Sequence, residues 1–384
     1  MRVLLGALLL ALHGPVAAQT PAPERALLEA MEAVEAGRSN DARLQLRELT
    51  RAQPNFRLAQ LLYGDLLATL SGKAPAQLRP GDNDPRVKEL LDEAQLRLQQ
   101  WRHGPAPGEV PDGLLQISPA TRHLVLTDLS RARLYVLENR DGTLRVVRHF
   151  FAGIGRKGFG KQVSGDLRTP IGIYRVTGFM PDGELPELYG AGSFPLDYPN
   201  SLDREKGRTG SGIWIHGVPR ETYVRAPRSS EGCVTVANDD LLALKPYLKT
   251  GVTPVILDDR VTWISPAEAD TQRQQFLSVL ETWRRDWSSK ATDKYLAHYA
   301  KDFRTDGMAL PEFSAYKRRI NAGKKFIDVQ LRDIELYRYP GTDGLMRMRF
   351  TQDYRSDSYG KVSAKEQLWK RQGGSWKIYR EESS

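Results

Sequence analysis

Two short segments hold the residues best suited to chemistry. His216 follows the apolar run Ile213–Ile215, and Cys233, the only cysteine in 384 residues, follows the small, flexible turn Ser229–Gly232. A thiol attacks a carbonyl carbon as the thiolate, and a neighbouring imidazole lowers the pKa of the thiol by forming a thiolate–imidazolium pair. The pattern therefore predicts a Cys233–His216 pair for nucleophilic catalysis.

The glycines beside these side chains fit the same chemistry. Gly217 lets the backbone come close to His216, so that a nearby carbonyl can hold one ring nitrogen and fix the tautomer. Gly232 and Cys233 offer unhindered backbone N–H groups, which an oxyanion hole requires. Taken alone, each residue has a structural alternative: a hydrogen-bonded core histidine and a buried cysteine that acts as a small apolar side chain.

The N-terminus indicates where this chemistry takes place. A basic start at Arg2, the apolar run Val3–Leu12 and the small residues Val16–Ala18 are typical of a secretory signal peptide, predicted over residues 1–18. A buried N-terminal helix is the alternative. The apolar run is too short to span a bilayer in the mature chain, and no cysteine follows it for lipid attachment. We therefore expect a periplasmic protein, in a compartment where lone thiols are unusual.

Charge narrows the class of partner. The net charge of +9 and the pI near 9.5 favour polyanions. Export excludes nucleic acid and leaves an anionic polymer of the cell envelope. From residue 266 onward the chain carries 23 Lys or Arg and 17 Asp or Glu, which accounts for +6 of the +9. The densest clusters, Lys317–Arg319 and Lys324–Lys325, are candidates for binding anionic groups, and a solvated face is the alternative.

Periodicity divides the mature chain into parts. Over residues 24–100, apolar residues recur at steps of three and four, with a break at Gly37–Asn40 and Pro54 after the second helix, which resembles a single tetratricopeptide-like unit. One such unit cannot bury its own apolar face, so we expect it to pack on the next domain. It is either a platform for a protein partner or a helical appendage. A Gly- and Pro-rich linker is predicted over residues 101–113.

Residues 114–263 have the two-residue alternation of a mainly-β domain. Strands are predicted at His123–Leu126, Arg133–Leu137 and Leu144–Val147, with a hairpin turn at Asp141–Gly142. The glycine-rich stretch 153–166 lacks the lysine and hydroxyl of a phosphate loop and is interpreted as a mobile loop near a site. A helix and a closing strand follow at Leu241–Leu248 and Val252–Leu257.

Residues 266–384 predict an α+β cone. An amphipathic helix is expected over Asp270–Trp287, and the helical spacing continues through Tyr295, Tyr299 and Phe303. Alternating apolar runs separated by Gly-rich turns then predict a curved antiparallel meander.

Residues 114–263 resemble the L,D-transpeptidase catalytic domain (the YkuD-like family). The resemblance is carried by His216–Gly217, by Ser230–Cys233 and by the supporting segment Thr169–Tyr174. Residues 266–384 look like an NTF2-like domain. The pairing of the two resembles the L,D-carboxypeptidases of helical bacteria, which trim peptidoglycan stem peptides and affect cell shape.

The resemblance implies roles for individual residues. Cys233 is implied as the acyl-accepting nucleophile, His216 as the general base and the Gly217 carbonyl as the group that orients His216. No metal or cofactor is expected. Four residues are expected to contact the substrate: Tyr223, Arg225, Ser230 and Gly232. An arginine suits a stem-peptide carboxylate, and a loop-anchoring salt bridge is the alternative for Arg225.

Two departures bear on the reaction. The family commonly has His before the Gly-Cys pair and Arg shortly after it, whereas this chain has Glu231 and Thr235. The first hypothesis is a peptidoglycan L,D-transpeptidase-type cysteine acyltransferase that works through a Cys233 thioester. The alternatives are an L,D-carboxypeptidase that trims tetrapeptide stems to tripeptides, an enzyme that releases a lipoprotein from the stem, and a catalytically weak peptidoglycan-binding module.

Overall fold

A computed structural model describes residues 20–73, 84–305 and 307–383. The predicted signal peptide lies outside these residues. The described chain forms an N-terminal group of helices, a mainly-β domain and a C-terminal α+β domain, as the sequence predicted. Among the described helices, none combines the length and the apolar character needed to cross a membrane.

The N-terminal helices pack against the next domain. Their bounds are α1 (Ala22–Glu35), α2 (Ser39–Ala52), α3 (Arg57–Leu70) and α4 (Pro85–His103). Their apolar faces form one core that also includes Tyr223 and Ala237 of the mainly-β domain. The expected packing is confirmed, since a unit of this size needs a neighbour to cover its face.

A five-stranded sheet forms the base of the mainly-β domain. Its strands are β3 (His123–Asp128), β4 (Arg133–Arg140), β5 (Thr143–Phe151), β7 (Gly172–Arg175) and β13 (Pro254–Asp258), in the order β5-β4-β3-β13-β7. The three predicted strands and the hairpin turn are confirmed, and the turn has φ of 51° at Asp141 and 85° at Gly142, the left-handed pair that a two-residue hairpin requires.

A second sheet packs on the first; it contains His216, and Cys233 directly precedes one of its strands. It consists of β8 (Met180–Pro181), β9 (Gly192–Pro195), β10 (Trp214–His216) and β12 (Val234–Thr235), in the order β12-β10-β9-β8. Two further strands pair beside it, β6 (Ile154–Gly155) and β11 (Arg228–Ser230). Short helices α5 (Ser201–Glu205) and α6 (Asn238–Leu244) complete the domain. Apolar side chains from both sheets, such as Val125, Ile215 and Val234, fill the core between them.

The C-terminal domain is a curved sheet closed by helices. Its helices are α7 (Pro266–Ser288), α8 (Thr292–Leu296) and α9 (Leu310–Ala322), and its strands are β15 (Tyr299–Thr305), β16 (Met308–Ala309), β17 (Ile327–Arg338), β18 (Leu345–Ser356), β19 (Gly360–Gln372) and β20 (Ser375–Ser383). The helical prediction for Tyr299 and Phe303 is wrong, because both lie on β15. A register irregularity between Tyr299 and Arg304 breaks the two-residue alternation and produces the four-residue spacing.

Two of the predicted domain boundaries differ from those in the structure. The linker prediction over residues 101–113 is wrong at both ends, because α4 continues to His103 and β1 (Val110–Pro111) pairs with β14 (Trp263–Ile264). Strand β2 (Leu114–Gln116) pairs with β17 and not with the sheets of the mainly-β domain. Short segments on both sides of the mainly-β domain therefore tie it to its neighbours, which local periodicity cannot show.

Candidate active site

Parallel pairing of β10 and β12 brings the two candidate catalytic residues to neighbouring strands. Ile215 is in register with Val234, so Cys233 lies directly before β12 while His216 ends β10. The Cys233 thiol donates to the Gly212 carbonyl, with 3.3 Å between sulfur and oxygen. The thiol is half-buried and is therefore accessible to a reactant.

The His216 ring is held in one orientation. Its Nδ1 lies 2.7 Å from the Gly217 carbonyl oxygen, where sequence analysis expected an orienting carbonyl. Because a carbonyl only accepts, Nδ1 carries the proton, and the neutral ring has an unprotonated Nε2. The Tyr189 ring meets the imidazole edge to face, with ring centres 4.9 Å apart. Burial lowers the pKa of His216 to about 4.

Burial of both groups acts against the resting thiolate–imidazolium pair that the sequence predicts. Burial raises the pKa of the Cys233 thiol to about 11, although the Trp214 backbone and the Arg225 charge act in the opposite direction. With the pKa of His216 near 4, both groups are neutral at pH 7. Desolvation disfavours both the thiolate and the imidazolium. This effect is larger than the lowering of the thiol pKa that the sequence pattern predicts. The arrangement suits a general base that takes the thiol proton during attack.

The turn before Cys233 is held by the Ser230 hydroxyl. Ser230 Oγ donates to the Cys233 carbonyl at 2.6 Å and accepts from the Gly232 N–H at 3.1 Å. Ser230 is buried, so these contacts make it a turn-forming residue and do not support the substrate contact expected of it. The Gly232 N–H is not free for an oxyanion hole, contrary to expectation. In the described part of the chain, no hydrogen-bond partner is found for the Cys233 N–H.

Gly232 also has a conformation that few other residues adopt. Its φ is +132°, and an added Cβ would lie 2.8 Å from the Arg168 carbonyl oxygen. The backbone at Arg168, just after the glycine-rich stretch 153–166, is thus packed directly behind the turn that precedes Cys233. Asp166, at the end of the glycine-rich stretch, accepts hydrogen bonds from the Lys161 ammonium at 2.8 Å and from three backbone N–H groups. These bonds hold the stretch in a closed loop.

Asn238 is a positioning residue that sequence analysis missed. Its Oδ1 accepts from the N–H groups of Ala191 and Val218, at 2.9 and 3.1 Å, and its Nδ2 donates to the Val218 carbonyl at 2.8 Å. These bonds join the segment after Tyr189 to the turn that supplies the Gly217 carbonyl. In sequence, an asparagine at the start of a helix indicates a cap, and nothing local reveals the two distant partners.

Two of the four expected substrate contacts, Tyr223 and Arg225, lie on the loop between β10 and β11, and the structure separates them. Tyr223 is buried against Phe56 of the N-terminal helices, with ring centres 4.3 Å apart. Its expected substrate contact is therefore wrong: the apolar face of the helices takes this side chain. Arg225 is half-buried, and its Nη2 donates to the Ser229 carbonyl at 2.6 Å.

Glu231 and Thr235, the two residues that differ from the common family pattern, lie in different surroundings. Glu231 is exposed and pairs with Arg156 at 3.3 Å. Thr235 is buried beside Gly153, and its hydroxyl has no hydrogen-bond partner in the described chain. A basic side chain at position 235 would be buried against the Gly153 backbone.

A cavity of about 530 Å³ lies in the C-terminal domain. The Lys317 ammonium points into aromatic surroundings, 4.6 Å from the centre of the Trp287 ring and 5.1 Å from that of Phe313. Burial lowers the pKa of Lys317 to about 8. Lys324 also lines the cavity, whereas Arg318 is exposed and pairs with Asp293. The predicted basic clusters are therefore divided between a cavity and a solvated face.

Two stacked β-sheets thus place a cysteine beside an oriented histidine. The family model described as the L,D-transpeptidase catalytic domain matches residues 122–257, and the model described as the Cds6 C-terminal NTF2-like domain matches residues 275–382. A solved structure of Bd1075 from Bdellovibrio bacteriovorus is 30% identical, covers 72% of this chain and 98% of that chain, and has a TM-score of 0.64. The chain belongs to the L,D-transpeptidase (YkuD) family and carries a C-terminal NTF2-like domain.

A second solved structure has the same organisation. The helical cell shape determining protein Pgp2 from Campylobacter jejuni is 27% identical, with 71% of this chain and 93% of that chain covered and a TM-score of 0.55. Among curated proteins, no significant match is found. The chain is thus a peptidoglycan enzyme of the L,D-transpeptidase or carboxypeptidase type.

Proposed function

We propose that the protein is a periplasmic cysteine acyltransferase that acts on peptidoglycan stem peptides through a Cys233 thioester. One observation carries the proposal: the bond from Nδ1 to the Gly217 carbonyl leaves the Nε2 of a buried, neutral His216 as a base on the strand beside the Cys233 thiol. A nucleophile and an oriented base are the two elements that covalent acyl transfer requires.

In the first half of the reaction, the Cys233 thiol attacks the carbonyl of the L-centre residue of a stem peptide. His216 Nε2 takes the thiol proton, and the Cys233 N–H donates to the oxyanion. Collapse of this intermediate breaks the C–N bond, and the imidazolium returns the proton to the departing amine. The products are a thioester on Cys233 and a free terminal D-amino acid.

In the second half, an acceptor resolves the thioester. The amine of another stem forms a crosslink, whereas water yields a shortened stem. In both cases His216 takes a proton from the acceptor and returns it to the leaving sulfur. We propose acyl transfer to an amine as the primary outcome. L,D-carboxypeptidase activity is the second candidate, favoured by the similarity to a cell shape determining protein and by Glu231 and Thr235 at the two variant positions.

Product analysis with intact sacculi tests the proposal. The mature protein is incubated with sacculi that contain tetrapeptide stems, and the released fragments are identified by mass. Dimers joined between two diamino residues indicate the transpeptidase, and tripeptides without new dimers indicate the carboxypeptidase. Unchanged stems with the native protein, or the same products with Cys233→Ala, would rule out the thioester enzyme.

A wall-binding function is a further candidate, because the C-terminal cavity places Lys317 where an anionic group can reach it. Binding of the Cys233→Ala protein to sacculi isolates this function from turnover. Lys317→Met is expected to weaken sedimentation with sacculi, and Arg318→Met, on the exposed face, serves as the matched control. Equal sedimentation of both variants would exclude the cavity as a wall-binding site.

A further inference from the structure

A cavity of about 230 Å³ lies where the mainly-β domain meets the C-terminal domain. Thr121 and Arg175 line it from the mainly-β domain, and Glu335 on β17 and Arg349 on β18 line it from the C-terminal domain. Neither candidate catalytic residue lines this seam cavity. Its side chains are therefore available for a purpose other than the acyl transfer described above.

A β-bulge in β17 turns Glu335 towards the seam cavity. The register between β17 and β18 is irregular between Arg332 and Glu335, where Asp333 has a φ of 54°. Val329, before the bulge, and Leu336, after it, both belong to the apolar core of the C-terminal domain, although an odd number of positions separates them. The extra residue thus reverses the alternation, and Glu335 faces away from that core.

The Glu335 carboxylate is buried and incompletely satisfied. It is 5% exposed, and its Oε1 accepts from the Thr121 hydroxyl at 2.5 Å. Over the described ranges 20–73, 84–305 and 307–383, Oε2 accepts no hydrogen bond, the carboxylate forms no ion pair, and the neighbouring Tyr337 hydroxyl also has no hydrogen-bond partner. Burial raises the pKa of Glu335. Because an unpaired buried carboxylate is costly, a cationic group beside Oε2 would stabilise it.

Two guanidinium groups line the same cavity without reaching this carboxylate. Arg349 lies directly opposite Glu335 in the register of the sheet, yet its ion pair is with Glu366, at 3.4 Å. Arg175 donates through Nη1 to two backbone carbonyls of the turn before β13, at 2.9 and 3.0 Å, and has no ion pair in the part of the chain that the structure describes. Its remaining N–H donors can bind a carboxylate.

This arrangement favours a ligand that carries both charges. An anion alone would meet the Glu335 carboxylate, and a cation alone would meet Arg175 and Arg349. A zwitterion satisfies both sides, because its ammonium donates to Glu335 Oε2 while its carboxylate accepts from Arg175. The small volume admits an amino acid and excludes a stem peptide.

We propose that the seam cavity binds a free, small α-amino acid in its zwitterionic form, with Glu335 as the receptor for the ammonium and Arg175 as the receptor for the carboxylate. The proposal does not depend on the chemistry of Cys233. The terminal D-amino acid that the proposed reaction releases belongs to this class of ligand. Since the bound amino acid contacts both domains, it stabilises their association.

Calorimetric titration of the native protein with D-alanine tests the proposal. A dissociation constant of about 1 mM or below is expected. N-Acetyl-D-alanine lacks the ammonium and D-alaninamide lacks the carboxylate, so each is expected to bind at least about tenfold more weakly. Absence of D-alanine binding at about 10 mM, or equal binding of the three compounds, would overturn the proposal without reference to any variant.

Two variants locate the binding site. Glu335→Gln keeps the shape of the side chain and is expected to abolish the preference for D-alanine over N-acetyl-D-alanine. Arg175→Met is expected to abolish the preference over D-alaninamide. Asp328→Asn on β17 and Arg145→Met on β5, both outside the lining, are the matched controls and keep both preferences. Circular dichroism of each variant without ligand checks that it is folded.

Native-like preferences in both folded variants would show that D-alanine binds elsewhere and would contradict the seam cavity as its site. The outcome is separable from that of the proposed function. Cys233→Ala is expected to bind D-alanine as the native protein does. Turnover of stem peptides without D-alanine binding contradicts the seam cavity alone, and binding without turnover contradicts the thioester enzyme alone.

Discussion

At the scale of single residues, both groups proposed to carry catalysis rest in their neutral forms. Burial lowers the pKa of His216 to about 4 and raises that of Cys233 to about 11. Many thiol enzymes instead hold a thiolate ready beside an imidazolium. In the proposed mechanism the sulfur becomes nucleophilic only as His216 Nε2 takes its proton, so attack and proton transfer are coupled.

The pH dependence of Cys233 alkylation by iodoacetamide tests whether the thiol and the imidazole are both neutral at rest. Because the thiolate forms on deprotonation, the rate is expected to rise by about tenfold per pH unit from pH 7 towards the pKa near 11. Turnover of a stem peptide, in contrast, needs unprotonated His216 and should persist down to about pH 5, below which it falls towards the pKa near 4. A flat alkylation rate between pH 5 and 8 would indicate a resting ion pair and contradict this account.

At the scale of elements, the site depends on how the second sheet and its connecting segments meet. The sequence predicted the elements with strong periodicity, including the meander β3-β4-β5 and the helix α7. It also singled out His216 and Cys233 as candidate catalytic residues, because rare residue types in a specific local pattern are informative without a structure. It did not predict the pairing of β10 with β12 or the position of Tyr223, because both depend on contacts between distant segments.

Asn238 illustrates such a distant contact and leads to a prediction. Asn238→Ala leaves two backbone N–H groups and one carbonyl without a partner, which is expected to lower the free energy of unfolding by about 1–3 kcal/mol. It also frees the turn that holds the Gly217 carbonyl, so kcat should fall by about tenfold to a hundredfold at unchanged KM. Chemical denaturation and steady-state kinetics measure the two effects.

The matched control is Asp239→Ala, the exposed neighbour on α6, which should change neither quantity appreciably. If Asn238→Ala lowers stability but leaves kcat intact in the folded protein, Asn238 does not position His216.

At the scale of the whole molecule, the parts form an integrated unit. The buried Glu24 carboxylate on α1 accepts hydrogen bonds from Arg97 on α4 at 2.6 Å and from Arg133 on β4 at 2.9 Å. On the other side of the mainly-β domain, Asn200 donates to the Tyr339 hydroxyl at 2.8 Å, and Thr121 donates to Glu335 at 2.5 Å. The mainly-β domain is thus tied to both neighbours by buried polar contacts.

Removal of the Glu24 carboxylate tests whether it couples the N-terminal helices to the mainly-β domain. Burial alone would raise the pKa of this carboxyl, but the charges of Arg133 and Arg97 hold it well below the usual 4.5. Glu24→Ala leaves both guanidinium groups without this carboxylate and is expected to cost about 3–5 kcal/mol of stability at neutral pH. Glu48→Ala, which removes exposed ion pairs on α2, should change stability by less than about 1 kcal/mol.

The contribution of Glu24 to the stability of the protein depends on pH in a defined direction. Because the folded-state pKa of Glu24 is lowered, its contribution is present above pH 4.5 and is lost as the pH falls below that value. The difference between the native protein and Glu24→Ala should therefore shrink in acid. Equal stabilities of the two proteins at neutral pH would show that the helices are not held by this network.

The most direct test of the central claim is the mass of the protein during turnover. The native protein is mixed with tetrapeptide stem, quenched in acid within the first turnover, and analysed intact and after digestion. A thioester predicts an added acyl-tripeptide on the peptide that contains Cys233, and no such adduct with Cys233→Ala. Product formation by Cys233→Ala, or turnover of the native protein with the label on any other residue, would contradict the assignment of Cys233 as the nucleophile.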